Sequence, residues 1–407
     1  MQYPDSGFSL ETSLLTPTTY PSFVKYMGSK SKIIDFVVEG INDVKLPDKP
    51  VLDLFAGSAS LAGAIGRNIS FHSNDIQQYS RILSTAYAAS WKTTESPDAK
   101  DIISQADHII KRVRSSVEEH LHNYTNDSSL ENFNQREANQ RTLIDHKFDH
   151  KWHLFIKCYS GTWWSAEQCL WIDAIREVAE VYKDDPAYDV ILASLMFAMA
   201  YCSQGTGHYA QYRDAKNSSS MNDILIYRKR SIEKYFVRKY SEVMQLLNAK
   251  PSPYDFVATA EDFSACLESF NGGTVYADPP YCFVHYSRFY HALETLVLYD
   301  FPELQVIGGV VVKGRYRVDR HQSPFCIASK VEGAFESLFR GVNRSESNLV
   351  LSYSNTGMID LDRMVEMAGS IFEGKKMELL TMDHQHMTLG RTGTRHRDVK
   401  ECLLLIK

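Results

Sequence analysis

The sequence predicts an α/β protein whose open sheet is interrupted by a long helical segment. Two observations carry this prediction. Short apolar runs in residues 1–90 and 251–407 end near an acid, as at Asp53 and Asp278, which is typical of strands whose carboxyl ends face a ligand. Residues 91–250 instead carry apolar side chains at helical spacing. We therefore expect a sheet domain in two parts, 1–90 and 251–407, with a mostly helical insert, 91–250, between them.

The composition is that of an ordinary globular chain. With 407 residues, of which 44% are hydrophobic, it can bury a large core and divide into two domains. No stretch of about 18 apolar residues occurs and residues 1–20 are polar, so we predict neither a membrane span nor a signal peptide and expect a cytoplasmic protein. The seven cysteines are scattered without a CxxC pair, and His384 and His386 lack further ligands nearby, so neither disulfides nor a metal site is predicted.

Two small-residue turns near the N-terminus are candidates for ligand binding. Residues 25–30 (KYMGSK) precede apolar residues at helical spacing, and a helix N-terminus with small residues favours anionic groups. Residues 53–58 (DLFAGS) follow an apolar strand and precede a helix of small residues. Such a unit lets a nucleotide approach the backbone, although it contains neither a Walker sequence nor GxGxxG.

A second strand is predicted at residues 69–73, and Asp75 follows its carboxyl end. In nucleotide-binding α/β sheets, an acid at this position commonly binds ribose hydroxyls. A plain βαβ packing unit is the alternative interpretation.

The helical insert contains the densest basic run in the chain. Residues 224–240, predicted as one helix, carry six Lys and Arg residues against one acid, so the net charge of −6 does not exclude nucleic acid. The polar loop before it, residues 204–222, holds side chains suited to bases and phosphates. A solvated surface is the alternative. The candidate nucleic-acid contacts are His208, Tyr209, Gln211, Arg213, Lys216, Arg228, Lys229 and Arg230.

The sheet is predicted to resume after the insert. Strands are expected at residues 257–260, 275–277, 306–312, 349–353 and 402–406, with helices near 292–299, 331–339 and 361–367. Asp262 and Phe263 follow the first of these strands. There a carboxylate can hydrogen-bond an adenine edge and a ring can stack on its face.

Residues 278–281 (DPPY) end the strand at 275–277, because Pro279 and Pro280 cannot donate to a β-ladder. Asp278 and the carbonyl of Pro279 are two acceptors that can hold both hydrogens of an amino group on a planar base, aiming the nitrogen lone pair out of the ring plane. Tyr281 then offers a ring for stacking. A strand-ending turn with a solvated Asp is the alternative.

Taken in order, KYMGSK, DLFAGS, Asp75, residues 261–263 (EDF) and DPPY resemble the Dam-like adenine-specific DNA methyltransferases, the alpha-order class of S-adenosylmethionine enzymes. The resemblance covers residues 22–90 and 255–407, and residues 159–211 are similar to the insert of restriction-modification members. It implies an α/β, Rossmann-like, SAM-dependent methyltransferase fold with a mixed seven-stranded sheet and an inserted, mostly helical target-recognition domain. It also implies double-stranded DNA as substrate and is compatible with a cognate restriction endonuclease as partner.

The same resemblance implies a role for each motif. S-adenosylmethionine (SAM) would contact Tyr26, Gly28 and Lys30 at its methionine end, Asp53, Phe55 and Gly57 along its backbone, Asp75 at its ribose, and Asp262 and Phe263 at its adenine. The target adenine would be bound by Asp278, Pro279, Pro280 and Tyr281, with Asp278 also bordering the cofactor. The chain departs from the family at Ala59, where a second glycine is usual, so we expect a looser backbone approach to SAM.

Positioning accounts for the implied chemistry. The adenine would be flipped out of the duplex, stacked on Tyr281 and oriented by Asp278 for in-line attack, with neither a covalent intermediate nor a metal. Methylation of a cytosine amino group, an RNA substrate and a catalytically inactive DNA-binding module are the alternatives. A thiolate of Cys282 adding to a cytosine ring would leave DPPY unexplained.

Overall fold

The computed structural model describes residues 14–26, 28–90, 96–124, 129–205, 207–249, 252–280, 286–355, 357–385 and 398–407. Tyr281, Cys282 and His386 lie outside these residues. Within them, no helix combines the length and the apolar character needed to cross a membrane.

The described residues form one large sheet and one separate hairpin. The strands are β1 (Val51–Asp53), β2 (Phe71–Asn74), β3 (Phe256–Thr259), β4 (Thr274–Ala277), β5 (Val306–Ile307), β6 (Val310–Val311), β7 (Asn348–Ser354), β8 (Met377–Gln385) and β9 (Asp398–Ile406). The large sheet has the order β3-β2-β1-β4-β7-β9-β8. Its first five strands in this order are parallel, whereas β9 is antiparallel to both β7 and β8. The mixed seven-stranded sheet implied by the resemblance is therefore confirmed.

Helices cover both faces of this sheet and build the insert. They are α1 (Ile34–Val44), α2 (Ser60–Ile65), α3 (Gln78–Ala88), α4 (Ala99–Val113), α5 (Leu130–Arg141), α6 (Leu154–Tyr159), α7 (Ala166–Val181), α8 (Ala187–Cys202), α9 (Ser218–Arg228), α10 (Ile232–Ala249), α11 (Phe263–Ser269), α12 (Tyr286–Phe289), α13 (His291–Leu298), α14 (Val331–Arg344) and α15 (Leu361–Ile371). Helices α1 to α3 lie on one face of the sheet, and α11, α14 and α15 lie on the other.

The central strands β1 and β4 are buried on both faces, as parallel strands between two helical layers must be. Because side chains alternate along a strand, Val51 and Tyr276 belong to the core beneath α1 to α3. Leu52 and Val275 belong to the core beneath α11, α14 and α15. This double burial fixes the register of β1 against β4, and so fixes where the two strands end.

The insert is helical, as predicted, and its core is continuous with that of the sheet domain. Helix α8 is apolar around most of its surface and packs against α3, α7 and α10. Trp163 and Trp164, in the turn before α7, are fully buried in the same cluster. The division of the chain at residues 90 and 250 into separate domains stays a prediction.

Two predicted elements differ from the structure, and one strand was not predicted. Residues 306–312 contribute no strand to the large sheet. They form the hairpin β5–β6, because Gly308 and Gly309 take positive φ angles and reverse the chain after two residues. Residues 224–240 are two helices, since α9 ends at Arg228 and α10 begins at Ile232. Strand β8, at the sheet edge, was not predicted, because polar side chains interrupt its apolar pattern.

Candidate active site

The carboxyl ends of β1 and β4 meet at the topological switch point of the sheet. From β1 the chain proceeds outward through β2 to β3 and then returns to the other side of β1 as β4. In parallel sheets, ligands bind in the crevice outside such a point. Asp53 is the last residue of β1, and it pairs in register with Tyr276, two residues before Asp278. The two acids therefore lie at adjoining strand ends.

A large cavity opens at this point, with about 1250 Å³ of space including its mouth. Its lining contains every cofactor residue implied by the resemblance, together with two residues of the DPPY motif after Asp278: Tyr26, Gly28, Lys30, Asp53, Phe55, Gly57, Asp75, Asp262, Phe263, Asp278, Pro279 and Pro280. Segments up to 252 residues apart in sequence, from Tyr26 to Asp278, thus converge on one space. Tyr281, the fourth DPPY residue, lies outside the described residues.

The buried carboxylate of Asp53 is incompletely hydrogen-bonded. Its side chain is 2% exposed, and its Oδ1 atom has no hydrogen-bond partner among the described residues. Burial, and then the charges of Asp278 and Asp75, raise the pKa of Asp53 well above its ordinary value. An unsatisfied buried acceptor costs free energy, so a ligand that brings a donor or a positive charge would bind favourably here.

Asp75 fixes the turn that follows β1. Its Oδ2 accepts a hydrogen bond from the backbone N–H of Gly57 at 2.9 Å, and its Oδ1 accepts one from Gln77 at 2.9 Å. Gly57 has a φ of +52°, and a Cβ on it would lie 3.1 Å from the Tyr26 ring. The close approach and the left-handed backbone both explain glycine at this position.

Ala59, the departure from the family pattern, has a φ of 58° and a ψ of 28° and is fully buried. This is the left-handed region in which glycine is favoured and alanine is strained. The left-handed backbone at this position therefore explains why the family usually has glycine there. The expected looser approach to SAM is not tested by this geometry.

Two phenylalanines line one side of the cavity and pack on a third. Phe55 and Phe263 have ring centroids 5.8 Å apart, and both contact Phe325, at 5.4 and 5.2 Å. Phe325 is fully buried behind the other two, which leaves their half-buried faces toward the cavity. Asp262 caps α11 by accepting a hydrogen bond from the Ser264 N–H at 2.9 Å, which places Phe263 at the first position of the helix.

Asn74 was not predicted, yet it ties the strand ends together. Its Nδ2 donates to the carbonyls of Leu54 and Glu261, and its Oδ1 accepts from the Thr259 hydroxyl at 2.8 Å. It thereby connects the segments that follow β1, β2 and β3 on the cavity side. Phe325 and Asn74 belong to no motif, and only the fold brings them to the site.

Asp278 lies in a buried network of charges. The Nζ of Lys30 is 3.1 Å from Asp278 Oδ1 and 2.6 Å from Glu401 Oε1, and the Ser352 hydroxyl donates to the same Glu401 oxygen at 2.5 Å. Burial raises the pKa of Asp278, Lys30 opposes this rise, and Glu401 adds to it. Burial alone would lower the pKa of Lys30, but the two carboxylates outweigh it and raise that pKa. Lys30 was expected at the methionine end of SAM; here it contacts the acid of DPPY.

Glu401 and Ser352 were not predicted as site residues. Glu401 is 1% exposed and lies on β9, which runs between β7 and β8. The sequence contained a signal for it, since an acid adjoins the wholly apolar run 402–406. A charge in a buried strand requires a partner, and that partner is Lys30, 371 residues away.

Stacked tyrosines border the cavity on its other side. The Tyr26 ring stacks on Tyr290 with centroids 4.4 Å apart and lies 6.0 Å from Tyr286. Tyr26 and Tyr286 both line the cavity. This wall connects the KYMGSK segment to α12 and α13, which follow DPPY in the chain.

Two of the predicted nucleic-acid contacts, Arg228 and Tyr209, are wrong, because their side chains are buried. The Arg228 guanidinium is fully enclosed and donates to both oxygens of Glu137, at 3.0 and 2.6 Å, and to the carbonyls of Trp163 and Thr162. Tyr209 is 2% exposed and packs against Trp163 and Trp164. Neither side chain presents its polar atoms to a ligand surface.

The other predicted contacts lie at least partly on the surface. Gln211, Lys216 and Lys229 are exposed, whereas His208, Arg213 and Arg230 are half-buried. The loop adjoins the cavity, because a Cβ on Gly207 would lie 3.2 Å from the Cβ of Lys25, next to Tyr26. Burial and the charge of Arg230 lower the pKa of Lys25, so these two cations also lie near each other.

The fold is that of the SAM-dependent methyltransferase class. A family model described as D12 class N6 adenine-specific DNA methyltransferase matches residues 26–339, which is most of the chain. The chain belongs to that family.

Similar curated proteins carry the names modification methylase and type II methyltransferase. The modification methylase LlaI of Lactococcus lactis subsp. lactis is 24% identical over 350 residues, which cover 85% of this chain and 48% of that protein. The type II methyltransferase M.FokI of Planomicrobium okeanokoites is 25% identical over 344 residues, covering 83% and 45%. The type II methyltransferase M.NlaIII of Neisseria lactamica is 24% identical over 388 residues, covering 92% and 95%. The chain thus spans about half the length of the first two relatives and nearly all of the third.

Proposed function

We propose that this chain transfers the methyl group of SAM to the exocyclic amino group of an adenine flipped out of duplex DNA. The observation that carries the proposal is the position of Asp278 and Pro279 at the switch point, bordering the same cavity as Asp53, whose Oδ1 atom has no hydrogen-bond partner among the described residues. Membership of the adenine-specific family supports adenine over cytosine as the target. The intact acid and prolines argue against a catalytically inactive DNA-binding module.

The residues present fit SAM. Asp53 offers a buried acceptor without a partner, Gly57 keeps the turn clear of side-chain atoms, and Phe55 and Phe263 offer ring faces for an adenine. Asp75, with its carboxylate fixed by two backbone N–H groups, is the candidate for the ribose hydroxyls. When bound, SAM supplies an activated methyl group on a sulfonium centre.

Asp278 and the Pro279 carbonyl would accept hydrogen bonds from the amino group of the target base. Holding both amino hydrogens turns the nitrogen lone pair out of the plane of the ring, which is the orientation that a nucleophilic amine needs. Lys30, held by Glu401, keeps the Asp278 carboxylate oriented. A proton that leaves the amine would pass to Asp278 or to water, and Tyr281 remains the proposed stacking partner of the base.

The test is chemical identification of the product. Duplex DNA is incubated with the protein and isotopically labelled SAM, digested to nucleosides and analysed by mass spectrometry. We expect label in N6-methyl-2′-deoxyadenosine; label in N4-methyl-2′-deoxycytidine would contradict the assignment of the base. The same assay on double-stranded RNA separates RNA from DNA as substrate. SAM binding by calorimetry without any methylated product would support the inactive module instead.

We further propose that the insert reads the DNA sequence, with Lys229, Arg230 and Lys25 near phosphates and Gln211, Arg213 and Lys216 near bases. The exposed positions of Lys229, Gln211, Lys216 and Lys25 support this. Removing one phosphate contact should weaken binding to all sequences and lower the salt dependence by about one unit. Losing a base contact should cost roughly 1–3 kcal/mol on the preferred site alone.

A cognate restriction endonuclease is a further proposal, supported by the type II names of M.FokI and M.NlaIII. Sequencing modified bases in DNA from an expressing host gives the recognition sequence. Endonucleases that cut that sequence then test whether methylation protects it.

A further inference from the structure

Residues 303–318 form an arm that is packed at its base, where Tyr316 and Arg317 are buried, and that carries the exposed hairpin β5–β6 at its tip. At its base, Gln305 N–H donates to the Tyr316 carbonyl at 2.8 Å and Val318 N–H donates to the Glu303 carbonyl at 2.8 Å. At its tip, a Cβ built on Gly308 or Gly309 would meet no atom within 4 Å. The two glycines at the tip therefore face open space.

The tip is apolar on both of its faces. Val306, Ile307 and Val310 are 52%, 68% and 69% exposed. Val306 pairs with Val311, and Ile307 pairs with Val310. Because successive side chains of a strand point to opposite faces, one aliphatic pair lies on each face. A hairpin that only covers a flat surface needs one apolar face, whereas two apolar faces suit a tip that is surrounded when bound.

The base of the arm adjoins the cavity and carries cations. His321, three residues after the arm, lies at the cavity, where its carbonyl accepts a hydrogen bond from the Ser287 hydroxyl at 2.6 Å and both residues line the wall. Arg288 and Arg320 lie 4.8 and 4.9 Å from the centroid of the Tyr316 ring. The Tyr316 hydroxyl donates to the carbonyl of Ala210, in the loop proposed to read DNA. A polyanion that reaches the cavity would meet these cations first.

We propose that the tip of the arm enters the DNA at the target base pair, with Ile307 and Val310 packing against the bases beside the extruded adenine. The inference rests on the proposed function. A two-stranded ribbon fits the major groove, which is about 8.5 Å deep, and aliphatic side chains can wedge between base steps. From Gln305, which is bonded to the buried Tyr316, to Gly308 at the tip, three residue steps span about 10 Å, so the tip can reach the depth of the groove. The contacts of Ile307 and Val310 with the neighbouring bases would compensate for the stacking that is lost when the adenine is flipped out.

The experiment compares Ile307→Ser/Val310→Ser with the parent protein on two duplexes that contain the sequence methylated in an expressing host. In one duplex the target adenine is paired with thymine; in the other an abasic site lies opposite it. The matched control is Val181→Ser, at the end of α7, since Val181 is 73% exposed against 69% for Val310.

On the paired duplex we expect kcat/KM to fall about tenfold in the double variant, since burying an aliphatic side chain is worth roughly this factor. On the abasic duplex, where the adenine is already unpaired, the loss should shrink to within about twofold. Fluorescence of 2-aminopurine at the target position should rise less with the double variant than with the parent. Val181→Ser should match the parent on both duplexes.

Equal losses on both duplexes would overturn the inference, because the arm would then act on something other than base-pair opening. Unchanged activity of the double variant would remove the tip from the DNA interface. If the double variant also lost a self-association that the parent shows in sedimentation, the tip would be a contact between copies instead. Failure of the parent to methylate either duplex would overturn the proposed function itself, whereas parent activity with an unaffected variant would overturn only the arm.

Discussion

Lys30 beside the cavity and Arg228 in the insert are both buried cations held by carboxylates, but their surroundings differ. The Arg228 guanidinium has five N–H donors and makes four hydrogen bonds, two to Glu137 and one to each of two backbone carbonyls. Its side chain is fully enclosed. Lys30 contacts Asp278 and Glu401, and its partner Asp278 borders the cavity. Arg228 therefore joins α5 to α9 and the turn before α7, whereas Lys30 acts on a group that a ligand can reach.

The largest expected effect is on the free energy of unfolding, and it distinguishes the structural role of Arg228 from the role of Lys30 at the site. Arg228→Met leaves Glu137 buried without its cation, which should lower the free energy of unfolding by about 3–5 kcal/mol. Denaturant titration measures this loss. The double variant Arg228→Met/Glu137→Gln should recover much of it, and Lys229→Ala, one residue further on and exposed, should change it little. If Arg228→Met were instead as stable as the parent but bound DNA more weakly, Arg228 would be a DNA contact and not a structural cation.

Asp278→Ala should have the next largest effect, on catalysis and not on folding. Removing one placed hydrogen-bonding group from the reacting amine should cost roughly 2.7–4 kcal/mol of transition-state stabilisation, by analogy with the loss of an oxyanion-hole donor. Single-turnover methylation measures the rate, and calorimetry with SAM should show binding close to that of the parent. Asp53→Ala is the matched acid, which we expect to weaken SAM binding instead. Retained turnover in Asp278→Ala would remove it from the reaction.

A smaller effect is expected on the pH profile of Glu401→Gln. Asp278 accepts the amino hydrogens as a carboxylate, so activity falls as the pH falls through its pKa. Glu401 contributes to raising that pKa, and removing its charge lowers it, so the acid limb of the profile should move to lower pH. The amide oxygen keeps an acceptor for Lys30 and Ser352. If Glu401 has only a packing role, the acid limb of the pH profile of the variant will lie at the same pH as that of the parent.

The same two cations show what the sequence could predict. Asp278, its prolines and the strand before it form one local pattern, and local backbone rules fix where the acid lies. The positions of most other strands follow from similar local patterns, which is why β1, β2, β3, β4, β7 and β9 were all expected. Arg228 lies in an equally local run of cations, but the direction of its side chain depends on Glu137, 91 residues earlier. Glu401 and Phe325 contact residues of the cavity wall only through tertiary packing, which no single segment encodes.

The smallest effect concerns strain beside the cavity, where Ala59 has a left-handed backbone. Replacing it by glycine relieves roughly 1–2 kcal/mol of steric strain, but adds flexibility to the unfolded chain at about 0.4–1 kcal/mol and removes a buried methyl worth about 0.8 kcal/mol. These contributions nearly cancel, so Ala59→Gly should leave the free energy of unfolding within about 1 kcal/mol of the parent. The matched control is Ala62→Gly, equally buried but inside α2, where no strain is relieved. It should cost about 1–2 kcal/mol. Denaturant titration of both variants decides the matter, since equal losses would mean that the left-handed backbone at Ala59 stores no strain.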